Sequence, residues 1–386
     1  MKKRKLSGFL IISFVLGLSL ACSSIGSQPQ ATEPTSSIYA TAITTGGTHA
    51  CALLNNGKVK CWGADDSGQL GDGSYTAYNR PVEVPGLSNV IAISAGGEHT
   101  CAVLNTGEVK CWGKNSSGQL GDGTKKLSAE PVNVHGLTNV ISVSAGSEHT
   151  CAITKEGGAV CWGKNAFGRI GNGSNTRLLP LPVDVNGLTS GVSSLSAGNE
   201  HTCAVTNDGA IKCWGHNNYG QVGDDTTKNQ TSPTDVVNLG HGAKAISTGF
   251  STSCAVTQSS GIQCWGWIGS QDSYTSPQQL AGLEQNLVAV TAGADHICGL
   301  TEEEVVKCLG ENEYGQLGNG TKNATYTATN VDGLGKVVSI AANFYYKCAL
   351  LSSGEVFCWG SNSSGQLGNG TNTDSLRPVQ VINISQ

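Results

Sequence analysis

The chain has 386 residues, 53 of them glycine, with only 13% charged and a formal net charge of −5. Its one methionine is the first residue, and no stretch carries Leu, Ala, Glu and Lys at helical spacing, so long amphipathic helices are excluded. Gly, Ser, Thr, Asn and Val dominate, the composition of short strands joined by tight turns.

In chain order, Met1–Lys5 is a basic n-region, and Leu6–Ala21 is apolar and uncharged. Together they read as an export signal over residues 1–21, since sixteen apolar residues fall short of the ~20 that span a bilayer. Leu18-Ser19-Leu20-Ala21-Cys22 resembles a bacterial lipobox, which implies a lipid on Cys22. Ser19 departs from its usual Leu. The alternative is ordinary secretion after Ala21, with Cys22 as a spare thiol. In a lipoprotein, Ser23 rather than Asp after the lipid cysteine implies outer-membrane or cell-surface retention. The expected localisation is thus the bacterial cell envelope, with membrane contact only through the anchor. Residues 22–37 follow as a Pro/Ser-rich flexible linker. Residues 1–21 hold four basic residues and no acidic one, leaving 19 Lys and Arg against 28 Asp and Glu. No Lys/Arg cluster remains for phosphate contacts, so nucleic-acid binding is disfavoured.

The other fourteen cysteines fall into seven C-x9-C pairs. These are Cys51 and Cys61, Cys101 and Cys111, Cys151 and Cys161, Cys203 and Cys213, Cys254 and Cys264, Cys298 and Cys308, and Cys348 and Cys358. Successive pairs begin 50, 50, 52, 51, 44 and 50 residues apart, the signature of an array or propeller. Zinc sites use two to four residues between thiolates, so a nine-residue spacer argues against a metal. A β-hairpin fits instead. Pairing outward from the Asn105-Thr106-Gly107 turn sets Cys101 opposite Cys111, with Gly107 as the left-handed residue of the loop. Opposed residues lie roughly 4.5–5.5 Å apart at Cα, within disulfide range, and an oxidising compartment preserves such bonds. Each closes a loop of about 11 residues, worth about 2.5–3 kcal/mol in the chain-entropy model.

The clearest copy places strands at Val90–Ser94, Thr100–Leu104, Val109–Gly113 and Pro131–Val134. Four short strands, seven times over, predict an all-β, seven-bladed β-propeller of four-stranded antiparallel blades over 38–386. The expected repeats are about 38–88, 89–138, 139–189, 190–240, 241–284, 285–334 and 335–386.

The run Trp112-Gly-Lys-Asn-Ser-Ser-Gly-Gln-Leu-Gly-Asp-Gly-Thr124 recurs at Trp62–Ser74, Trp162–Ser174, Trp214–Thr226, Leu309–Thr321 and Trp359–Thr371. It resembles the signature of regulator-of-chromosome-condensation repeats, which implies the same seven-bladed fold. The founding member's nuclear exchange activity is not expected to travel with the fold. Exported bacterial members, one a secreted inhibitor that clamps β-lactamases with one propeller face, are the better precedent.

His49, His99, His149, His201 and His296 recur two residues before the first cysteine, four of them after an acid. Repeat symmetry spreads them around a ring, so they read as structural and no metal is expected. The Gly-Gln-Leu-Gly-Asp-Gly runs precede strands rather than helices, which argues for turns over a phosphate cradle. The six Cys-Trp-Gly tryptophans read as packing between blades, with Leu309 in the seventh place. No catalytic motif, isolated reactive cysteine or cofactor site emerges, so the chain reads as a non-enzyme. Departures from the repeat are more telling. Blade 5 loses the Gly-Gln-Leu-Gly run, carries Phe250 where other copies are small or polar, and adds Trp267 and Tyr274. Blade 7 reads Asn343-Phe344-Tyr345-Tyr346 in place of Gly-Glu-His. Aromatics are enriched at binding hot spots, making Phe250, Trp267, Tyr274, Phe344, Tyr345 and Tyr346 candidate binding residues. The function expected is a monomeric, non-catalytic envelope scaffold that binds a protein partner through one propeller face. Carbohydrate or cell-wall binding is the alternative, and an unrecognised hydrolase the third choice.

Overall fold

A computed structural model describes residues 37–259, 261–269 and 273–385. The expected signal segment and Cys22 lie outside the described residues. The second pass of each repeat, from its cysteine to the Trp-Gly pair, is buried on both sides, whereas its first strand alternates. The outcome is seven four-stranded antiparallel sheets, each with its strands in sequence order. First strands touch one another around the ring and line its axis. The described residues contain one helical turn, a 3₁₀ turn at Ala166–Gly168. Blade 2 shows the pattern: Val90–Ala95, His99–Leu104, Val109–Gly113 and Ser128–Asn133.

Its outer strand begins three residues before the expected Pro131. Proline has no N–H for the ladder and was read as a strand start, but on the free edge it costs nothing and sits inside the strand. Blade 6 has Ala328 where blade 2 has Pro131, and the spare N–H donates to Ala281 O at 3.0 Å.

Hairpin register follows the reading: Val103 faces Val109 and Cys101 faces Cys111, with Gly107 at φ 82°. All seven expected pairs are disulfides, each joining the second strand of a blade to its third. Cys51 is bonded to Cys61, Cys101 to Cys111, Cys151 to Cys161 and Cys203 to Cys213. Cys254 is bonded to Cys264, Cys298 to Cys308 and Cys348 to Cys358. Their Cα atoms lie 4.0–4.1 Å apart, closer than the roughly 4.5–5.5 Å expected of opposed residues. All fourteen cysteines are fully buried and belong to seven apolar clusters, one per seam between blades.

Each blade is a continuous stretch of chain, so the termini share no blade and the ring closes through contacts. Ala40 N donates to Gly354 O at 3.2 Å, Lys60 Nζ to Asn383 O at 3.0 Å, and Trp62 Nε1 to Gln366 O at 2.9 Å.

Candidate functional face

The repeated motif builds the seams. Trp112 of blade 2 donates from Nε1 to Gln69 O of blade 1 at 3.0 Å, and Thr100 donates from Oγ1 to the same carbonyl at 2.9 Å. Gly71 lies beneath that indole; a Cβ there would sit 2.5 Å from Trp112 Nε1. The Gln carbonyl and the final Gly of one blade thus form the socket for the tryptophan of the next. Trp162, Trp265, Trp359 and Trp62 repeat the contact, and Trp214 makes it to the carbonyl of Arg169, which stands in the Gln place of blade 3. The missing Gly-Gln-Leu-Gly run of blade 5 and Leu309 of blade 6 stand apart in the sequence. They are one fact: blade 5 lacks the socket, and the blade seated on it carries Leu309 instead of tryptophan.

The histidines serve the same seams. His49 Nε2 lies 2.8 Å from Thr100 Oγ1, and His99, His149 and His201 meet Thr150, Thr202 and Ser253 alike. Because Thr100 spends its proton on Gln69, His49 must donate from Nε2. That puts a proton on Nε2 and leaves Nδ1 without a partner. Burial pushes His49 and His201 down to about 3 and His99 to about 4. The preceding acids point outward instead: Glu98 pairs with Lys114 at 2.7 Å, Glu148 with Lys164, and Glu200 with Arg169 at 2.9 Å. Among the described residues no three His, Cys, Asp or Glu side chains gather as a metal set.

Aligning blades on their cysteines puts Phe250 and Phe344 in one slot, in the loop between first and second strands of blades 5 and 7. Their ring centroids are 6.0 Å apart, and both line the mouth of an axial cavity of about 270 Å³. Below them the cavity is polar, with Thr44, Ser94, Ser196, Ser247 and Thr291 on its wall. Tyr345 continues the row, 6.4 Å from Phe344 and 5.1 Å from Tyr314. Phe250 and Tyr345 are 45% and 41% exposed. Trp267 packs edge-on against Tyr219 at 5.8 Å, while Tyr274 is half-buried on the outer strand of blade 5, opposite Gly266.

Tyr346 is not a surface residue. It takes the histidine slot, is fully buried, and donates its hydroxyl to His49 O across the closing seam. Burial holds its phenol well above the usual tyrosine range. Its spacing from Cys348 already marked that slot; reading Phe344–Tyr346 as one loop hid it.

Phe167, Tyr219 and Tyr314 were missed. They share one position of the loop after the third strand, where other blades have Ser67, Ser117 and Ser364. Antiparallel strands in order put this loop and the one bearing Phe250 at the same end of each blade. One propeller face therefore carries aromatics on blades 3 to 7 and small or polar residues at the matching places on blades 1 and 2.

This arrangement defines a seven-bladed propeller latched by tryptophan sockets, with one aromatic face. A family model described as an RCC1-like domain matches residues 14–273, and models of the regulator of chromosome condensation (RCC1) repeat match 287–316, 337–366 and 353–386. The chain belongs to the RCC1-like family. It is similar in structure to human WBSCR16 (22% identity, TM-score 0.75, covering 84% of this chain and 93% of that one). Prp20p of Saccharomyces cerevisiae is similar too (20% identity, TM-score 0.74, covering 90% and 88%). Of curated proteins, the mitochondrial RCC1 domain-containing protein RUG3 of Arabidopsis thaliana is 34% identical over 89 residues, 22% of this chain and 20% of that protein. The Ultraviolet-B receptor UVR8 of the same plant is 37% identical over 79 residues, 20% and 18%. The match spans about a fifth of each curated relative's length.

Proposed function

We propose that this chain is a non-catalytic binding scaffold of the bacterial cell envelope, anchored by a lipid on Cys22, that grips a protein partner with the aromatic face. The observation that carries the reading is the break in symmetry: Phe250, Phe344, Tyr345 and Tyr314 form one contiguous row on a ring whose blades 1 and 2 are small or polar at those places. Exposed aromatic clusters mark interaction sites. Relatives of this fold support it. Prp20p has binding properties toward Gsp1p and histones, and it has been solved with Kap60 bound.

The test is photo-crosslinking in cells from the face of the full chain, beside a Phe344→Ala/Tyr345→Ala variant. One envelope protein crosslinked by the parent and lost by the variant, with melting unchanged, is the expected outcome. Identical crosslinks from both would refute the face. Retention on polysaccharide with release by free sugar would replace the protein partner with a glycan. Labelled palmitate should enter the parent and not Cys22→Ser; no incorporation would refute the anchor.

A further inference from the structure

The repeat supplies its own control for one pair of positions. The residue before the histidine slot is Glu98, Glu148 and Glu200 in blades 2, 3 and 4. Each faces a cation: Lys114, Lys164, and Arg169 with His216. In blade 6 the first position is Asp295, but the position that holds Lys114 and Lys164 holds Glu311. The internal cation has become a second acid. Neither is in an ion pair among the described residues; Glu311 accepts only the Tyr326 hydroxyl, at 2.6 Å. Asp295 is half-buried, its backbone carbonyl accepts from Glu311 N at 2.9 Å, and its carboxyl is raised by burial first and by Glu311 second, with the Trp267 side chain acting the other way. The acid pair is thus left under-compensated where its siblings are neutralised.

Aromatic rings border it. Trp267 reaches Asp295 from blade 5, with Tyr219 behind it. On the other side stands Tyr345, whose phenol is raised by burial and by Asp295, Tyr314 and Glu313 nearby. Phe344 and Phe250 extend that side to the axial mouth. Carboxylates ringed by π faces suit a guanidinium or ammonium group, which gains charge pairing and cation–π contact together. A small free cation would use the acids alone. The aromatic rows run on across blades 4 to 7, farther than one cation reaches, and match a chain segment with apolar residues beside its charge.

We infer that the aromatic face docks a basic segment of a protein partner, which inserts an arginine or lysine side chain between Asp295, Glu311, Trp267 and Tyr345. This inference rests on the scaffold reading and names the partner's chemistry.

The experiment uses the full chain, disulfides intact, as bait for a displayed random-peptide library, with soluble copies of the selected peptides as probes. Glu311→Lys rebuilds the pair found in blades 2 and 3, so its melting should match the parent's. Expected are peptides bearing Arg or Lys beside apolar residues. They should lose at least tenfold in affinity to Glu311→Lys and to Asp295→Asn/Glu311→Gln, and weaken as salt rises. Selected peptides without basic residues, no selection at all, or equal binding to parent and Glu311→Lys would each overturn the inference. If those peptides still lose affinity to Phe344→Ala/Tyr345→Ala, the face survives and only the basic occupant is refuted. If they are indifferent to both sets, both readings fall.

Discussion

Lys347→Thr should stabilise this protein at neutral pH and cease to do so at alkaline pH. Lys347 occupies the place of Thr100, Thr150 and Thr202 but is buried to 1% exposure, its Nζ donating to Gln316 O at 3.0 Å. A threonine hydroxyl accepts from one histidine and donates to one carbonyl. Lys347 spends its Nζ on Gln316 and makes no bond to His296, both of whose ring nitrogens lack partners. Burial holds the amine well below the ordinary lysine range of 10.5. The unfolded chain therefore binds one more proton than the fold across that window, and stability rises with pH by about 1.4 kcal/mol per unit. Each pH unit below the ordinary lysine value at which the buried amine stays neutral costs about 1.4 kcal/mol. Losing its methylenes and its hydrogen bond returns about 3 kcal/mol. Lys347→Thr should thus be most favourable at neutral pH, its advantage shrinking by about 1.4 kcal/mol per unit as pH rises. Guanidinium unfolding of both proteins at pH 7, 8 and 9, without reductant, reads the difference. Curves that stay parallel across these pH values would refute a neutral buried amine.

Asp65 stands where blades 2, 3, 4, 6 and 7 have the buried asparagine that ties the Trp-Gly loop. Asn115 accepts from Leu120 N and donates from Nδ2 to Asp122, Thr124 and Lys126, whereas a carboxylate has nothing to donate. Burial raises Asp65 to about 7, so the fold holds a proton that the unfolded chain releases above 3.8, and stability falls as pH rises through that window. Asp65→Asn should remove the fall, gaining about 1–3 kcal/mol at pH 8 and nothing at pH 4, as denaturant melts at both pH values will show. Glu304 occupies a hairpin position that is glycine in blades 1 to 4 and 7, yet has φ 66°. Glu304→Gly should raise stability by about 1 kcal/mol in the same melts, the loose 3.6 Å pair with Lys336 being a small loss. Trp112→Leu should cost about 2–4 kcal/mol, while the reverse change, Leu309→Trp, should also destabilise, by about 1–3 kcal/mol, because no socket faces it. A stabilised Leu309→Trp in calorimetry would contradict the socket.

What the sequence made legible were the features carried within one repeat. C-x9-C around an Asn-Thr-Gly turn sets hairpin register because pairing outward from a turn is local geometry. The cysteine count then fixed the number of blades. Contacts between blades were less legible. Trp112 and Gln69 are 43 residues apart, and nothing local couples them; only the joint loss in blades 5 and 6 hinted at it. The aromatic face divided along the same line. Phe250 and Phe344 stood out against small neighbours, and the structure brings them together. Phe167, Tyr219 and Tyr314 replaced polar residues in a loop already read as a turn and passed unremarked. Tyr346 misled because an aromatic departure suits a core slot as well as a surface one, and only its distance from Cys348 tells the two apart.

Among the described residues every disulfide closes within a hairpin, and none crosses from one blade to the next. Seams rely on tryptophan sockets, hydroxyl bridges, backbone hydrogen bonds, a few ion pairs and apolar contact. Pulled from its ends, the ring should part at a seam while each central hairpin survives as a covalent knot. Each bond withholds ten residues of separation, roughly 35 Å of contour at full extension, so the stretched chain stops short by a length that counts the bonds still intact. Oxidation therefore sets the mechanical reach of this molecule without setting which seam yields first.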